Sequence, residues 1–127
     1  MSSAEWLGPM QDQAAKKMVG GGGPRSGPGF VYVVRAVNTN LIKIGMSARP
    51  ERRLQTLQTG CPQELELVEE WEVNNMQQAE RAALQAMDDH NLQHTNPNFR
   101  AREWFFLTQQ FDIDDALQTI TNAVQGQ

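Results

Sequence analysis

The sequence predicts an α+β domain: a small mixed or antiparallel sheet of about three strands with flanking helices, ordered ββαβα and followed by a C-terminal helix. Three observations carry this. Two runs rich in β-branched residues, "GFVYVV" (29–34) and "LIKIGM" (41–46), flank a polar loop as the arms of a hairpin do. Segments at 47–60, 75–90 and 111–124 repeat apolar residues at helical spacing. Between the first two of these, "ELELVEEWEV" (64–73) alternates apolar residues with acids, the pattern of a half-exposed strand.

From the N-terminus onward, "PMQDQAAKKMV" (9–19) has Pro9 where a helix could start, but its apolar face is thin and it is expected to be an arm. "GGGGPRSGPG" (20–29) is a linker by composition, because Gly and Pro at this density build no core. Arm and linker thus occupy 1–28, the folded domain is expected over 29–108, and the helix of 109–127 packs on it. The hairpin strands read as 30–37 and 41–46, joined by "NTN". If Ala36 faces Leu41, Tyr32 stands opposite Gly45 and diagonal to Lys43, with open space where glycine has no side chain. Ile42, Ile44 and Met46 then point the other way, into the core.

The next helix has Pro50 in its first turn and Gly60 as its stop. In the strand at 64–73, Leu65 and Leu67, then Trp71 and Val73, alternate with acids, with a slip near Glu69 and Glu70. Asn74 or Asn75 caps the second helix, which runs towards Asn91. "QHTNPNFRAR" (93–102) reads as a loop, and "EWFFL" (103–107) as a short strand or turn. Asp112 caps the last helix, whose stripe of Ile113, Ala116, Leu117, Ile120 and Val124 either completes the core or meets a second copy.

Composition narrows the class. At 127 residues the chain holds one modest core, and 39% apolar with 20% charged residues is ordinary for a globular protein. The single cysteine, Cys61, excludes an internal disulfide framework and a C-x-x-C zinc site. With no basic-then-apolar signal pattern and no run of about 18 apolar residues, the expected location is intracellular, cytoplasmic, with no membrane partner. The net charge is −4, but it is uneven: residues 29–60 carry five basic residues against one acid, and 61–127 carry three against twelve. A local basic patch can still attract an anion, because fields beyond about 8–10 Å are screened at physiological salt.

Two positions break their helical patterns. Met76, Ala79, Ala83, Leu84 and Met87 share a stripe in which Glu80 falls near the middle. A carboxylate facing a core needs an ion pair, hydrogen bonds or a metal. In the preceding helix Pro50, Leu54 and Leu57 face inward, Arg52 points away, and Arg53 lies at the rim, able to reach an anion that is either Glu80 or a phosphate. Arg49 and Arg52 read as a solvated basic face. His90 and His94 are four apart, a metal-binding spacing on a helix, but the helix ends at Asn91 and both read as surface residues.

Taken together, Gly29-Phe30-Val31-Tyr32, Lys43-Ile44-Gly45, Arg53, Glu80 and Glu103-Trp104-Phe105 resemble the GIY-YIG nuclease superfamily, and within it the phage-type DNA-binding branch with KIG and EWF motifs. The resemblance covers about residues 29–108 and implies the same ββαβα fold. It implies DNA as partner and one-metal phosphodiester hydrolysis, with Glu80 holding Mg²⁺ or Mn²⁺. It further implies that Arg53 neutralises charge on the phosphate, that Tyr32 positions or deprotonates the attacking water, and that Lys43 favours the ionised phenol while touching phosphate. Lys43, Arg49, Arg52 and Arg53 would contact the nucleic acid. Two departures stand out: Lys43 replaces the superfamily's second tyrosine, and Gly29-Phe30-Val31-Tyr32 is one residue longer than the GIY pattern. Three functions follow in order: a metal-dependent endonuclease, a DNA-binding module that keeps the nuclease fold without turnover, and a protein-interaction domain whose Glu80–Arg53 contact is structural.

Overall fold

A computed structural model describes residues 27–95 and 102–126. Residues 1–26 of the arm and linker expected over 1–28, and most of the loop before Glu103, lie outside the described residues. The hairpin forms in the expected register. Strand β1 (Gly29–Ala36) pairs antiparallel with β2 (Leu41–Ser47), placing Tyr32 opposite Gly45 and Val34 opposite Lys43. Asn38 turns the chain at φ 65°, a left-handed value that asparagine tolerates, and Thr39 Oγ1 donates to the Ala36 carbonyl at 2.6 Å.

Helix α1 (Pro50–Gln58) follows, then β3 (Leu65–Val73) and α2 (Met76–Ala86). A 3₁₀ turn, Asp88–His90, and a short helix α3, Leu92–Thr95, come next. Strand β4 (Trp104–Phe106) and α4 (Ile113–Gln125) complete the order. Among the described residues the four strands form one antiparallel sheet, β3-β1-β2-β4. The sheet therefore has four strands where the sequence suggested about three. A three-residue apolar run is too short to show a period. Its pairing depends on the outer edge of β2, where Lys43 faces Trp104 and the Ile44 N–H donates to the Glu103 carbonyl at 2.9 Å.

Both faces of the sheet are covered, which is why residues 31–34 are an unbroken apolar run. On one face Val31, Val33, Ile42, Ile44 and Phe105 pack against Ala79, Ala83 and Met87 of α2 and Ala116, Ile120 and Val124 of α4. The C-terminal helix thus completes the domain's own core, anchored by an Asp112–Asp115 capping box. On the other face Tyr32, Val34, Ala36, Leu65 and Trp104 pack against Leu57. The slip in the third strand is a β-bulge. Val33 pairs with Glu69 and Val34 with Leu67, leaving Val68 as the extra residue. Leu65 and Leu67 consequently serve the α1 face, whereas Val68, Trp71 and Val73 serve the opposite one.

The second helix ends at Ala86, short of Asn91, and Asn75 is its cap, accepting from the Gln78 N–H at 3.1 Å. Two aspartates at 88 and 89 oppose the negative end of the helix dipole. Asn91 instead makes a β-bridge with Phe105. No described helix is long and apolar enough to cross a membrane.

Candidate functional site

The centre of the site is a buried cation. Lys43 is 2% exposed, held in the middle of β2 between Val34 and Trp104. Its ammonium is ion-paired with the carboxylate of Glu103, one residue before β4. Burial alone would lower the lysine's affinity for its proton. The negative charge of Glu103, with smaller contributions from Tyr32 and Glu80, outweighs it, and the net effect holds Lys43 above the ordinary 10.5. Lys43 is therefore an ammonium at neutral pH, with two carboxylates, Glu103 just before β4 and Glu80 on α2, and a phenol in its field.

Tyr32 lies on the same face, fully buried. Its ring occupies the place above Gly45 that a side chain there would need. A Cβ on residue 45 would stand 3.0 Å from Tyr32 Cε1 and closer still to Cζ and the phenol oxygen. The sequence suggests open space at this glycine; the tyrosine itself fills it. Glycine is required here because the neighbouring ring crosses its backbone, since φ is not positive.

Arg53 comes from the first turn of α1, which Leu57 and the half-buried Leu54 fix to the Tyr32 face. The arginine is half-buried, and its Nε is buried with no hydrogen-bond partner among the described residues. Leaving such a donor unmade costs about 1–3 kcal/mol, so a partner brought by a ligand would recover that amount. No ion pair between Arg53 and Glu80 is formed among the described residues, where the pairs are Lys43–Glu103 and His94–Asp88. Arg49 and Arg52 are exposed. They form the solvated face expected of them.

Glu80 sits half-buried midway along α2, beside the fully buried Ala79 and Ala83. Its charge acts on Lys43. The fold thus brings Tyr32, Lys43 and Glu80 into one electrostatic neighbourhood from β1, β2 and α2, and adds Glu103. That last residue belongs to a motif visible in the sequence, yet its role was not. Nothing in the local pattern of residues 103–107 points to a lysine 60 positions earlier.

With this geometry in hand, comparison with known families is decisive at one level. The T5orf172 domain matches residues 29–123. The chain belongs to the T5orf172 domain family. The match starts at the first residue of β1 and ends within α4, so every site residue named above lies inside the T5orf172 domain. No curated protein and no solved structure matches the chain.

The donor set of the T5orf172 domain constrains any metal it could hold. No group of three or more His, Cys, Asp or Glu side chains converges among the described residues. His90 stacks on Phe111 with centroids 3.8 Å apart, and His94 Nε2 lies 3.2 Å from an Asp88 oxygen, so the two histidines do not act together. A single half-buried carboxylate, Glu80, fits a small hard cation that keeps most of its waters and takes substrate oxygens. It does not fit zinc, which requires three or four protein ligands.

Proposed function

We propose that this T5orf172 domain is an endonuclease that hydrolyses phosphodiester bonds in DNA with one divalent cation, Mg²⁺ or Mn²⁺, held at Glu80. The observation that carries the reading is the buried Arg53 Nε, without a hydrogen-bond partner among the described residues, on the sheet face that carries Tyr32 and Lys43. A donor desolvated without a structural partner is suited to an incoming oxyanion. Arg53 binds a non-bridging phosphate oxygen and neutralises charge that grows as the bond to phosphorus forms. Tyr32 orients the attacking water through its phenol oxygen, whose place over Gly45 is fixed. Lys43 stabilises the phenolate that takes the attacking water's proton as the new bond to phosphorus forms and the bond to the leaving oxygen breaks, and Glu103 keeps the ammonium from swinging away. The cation, when bound, supplies Lewis-acid stabilisation of the leaving oxygen.

One observation favours a second reading, a DNA-binding module without turnover. Lys43 is committed to a buried ion pair with Glu103, which serves the fold as well as it could serve chemistry. Nicking of supercoiled plasmid at low salt, in Mg²⁺, Mn²⁺ or EDTA, separates the two. Metal-dependent nicking that Glu80→Gln abolishes, with DNA binding and thermal stability retained, is the expected result. A gel shift without nicking in any metal selects the binding module. Neither shift nor nicking rejects both.

A further inference from the structure

Glu80 and Glu103 both act on Lys43, and each has an arginine beside it in the chain: Arg81 follows the first, and Arg102 precedes the second. These arginines, from segments about twenty residues apart, line one open cavity of about 500 Å³. It is lined by Arg81, Leu84 and Gln85 of α2 and by Asp88 of the 3₁₀ turn that follows. Arg102 is held at the rim through its backbone. Its carbonyl accepts a 2.6 Å hydrogen bond from the amide of Asn91, a buried residue that also bridges to Phe105.

The charge balance of the cavity is positive. Its acid, Asp88, is already engaged with His94, and neither Arg81 nor Arg102 forms an ion pair among the described residues. In a region of the chain where acids outnumber bases twelve to three, two exposed guanidiniums sharing a cavity is a departure from the surrounding field. Arg81 and Arg102 directly neighbour Glu80 and Glu103 in the chain, which puts the cavity's two arginines on the α2 and β4 side of the site. Arg52, on α1, and Arg49, at the N-cap just before it, belong to the other flank.

We infer that the Arg81–Arg102 cavity binds a backbone phosphate of DNA flanking the bond at the Lys43–Glu80 centre, so that the strand runs from the α1 arginines across the site to α2. The inference rests on DNA being the substrate. Guanidinium pairs recognise phosphate oxygens through several donors at once, without reading base sequence.

The test is binding of a fluorescent DNA duplex to the full chain in EDTA over a range of salt concentrations. Wild type should show log affinity falling linearly with log salt. The double variant Arg81→Ala/Arg102→Ala should bind about tenfold more weakly near 0.1 M salt, with a slope shallower by about 1, as loss of one phosphate contact requires. A double variant at exposed loop positions, Gln109→Glu/Gln110→Glu, makes the same change in net charge and should leave the slope unaltered. Replacing chloride by inorganic phosphate at matched ionic strength should not compete specifically.

An unchanged slope and affinity in the arginine variant, with wild type binding DNA, overturns the inference and leaves the proposed substrate standing. An equal loss in the glutamine control overturns it as a local effect. Specific competition by inorganic phosphate, absent from the arginine variant, makes the cavity a free-anion site instead. Failure of wild type to bind at low salt overturns this inference and the DNA reading together. Circular dichroism melts of each variant verify that the comparisons are between folded chains.

Discussion

Replacing Gly45 by alanine adds one methyl group at the point where the Tyr32 ring crosses β2. Carbon atoms in contact normally stand about 3.5–4.0 Å apart. Here the new Cβ would be 3.0 Å from Tyr32 Cε1 and nearer to two further ring atoms. The ring has little room to retreat, because Tyr32 is 1% exposed and packs in a cluster with Val34, Leu57 and Trp104. Overpacking of this kind costs about 1–3 kcal/mol. Against it stands a gain of about 0.4–1 kcal/mol, because alanine restricts the unfolded chain and the native φ at residue 45 is one it can adopt. The balance runs from about 0 to about 2.6 kcal/mol, and at its centre Gly45→Ala should destabilise by about 1.3 kcal/mol, lowering the melting temperature by several degrees. Urea unfolding measures this, with an unchanged slope showing that the two-state comparison holds. The Tyr32→Leu background supplies the control, since leucine lacks the three atoms that clash. In that background Gly45→Ala should be neutral or slightly stabilising, giving a coupling of about 1–3 kcal/mol. An equal cost in both backgrounds would refute the argument that the tyrosine is what requires glycine.

Further outcomes follow from the same geometry. Glu103→Gln leaves the Lys43 ammonium buried beside a neutral amide. It should cost about 1–3 kcal/mol in chemical denaturation, below the usual range for a fully buried pair because the glutamate side chain is 35% exposed. Lys43→Met should lie within about 1 kcal/mol of wild type in the same assay, since it removes the buried charge and leaves only a carboxylate that water reaches. Because the fold holds Lys43 above 10.5, its contribution is complete below that pH and fades as pH rises through the higher folded value. Melting temperatures recorded from pH 8 upward should therefore fall above about 10.5 in wild type and lose that component in Lys43→Met. Asp112→Ala removes the cap that accepts from the Asp115 N–H at 3.0 Å and should cost about 0.5–2 kcal/mol in thermal unfolding.

Much of this fold is legible in local pattern. The hairpin register follows from where two β-branched runs break for "NTN", and the caps at Asn75 and Asp112 stand where short polar residues precede apolar repeats. The slip near Glu69 was visible as a broken alternation, because inserting Val68 moves the apolar residues from one face to the other. The early end of α2 and the strand at 104–106 were not legible to the same degree. Both depend on Asn91 and β2 finding Phe105 and Trp104, and pairings between distant segments leave no period in the chain.

The site divides along the same line. Local sequence was enough to single out Tyr32, Lys43, Arg53 and Glu80, because each is a polar or charged group set in or beside an apolar pattern, and an exception of that kind is visible one residue at a time. What those groups face was decided by tertiary structure alone. Lys43 meets Glu103 across 60 residues, Tyr32 fills the space that Gly45 leaves, and Arg81 and Arg102 share one cavity. The reason is physical: burial and secondary structure are set by each segment's own periodicity, whereas charge pairing, steric occupancy and cavity lining depend on which segments the packed sheet brings side by side.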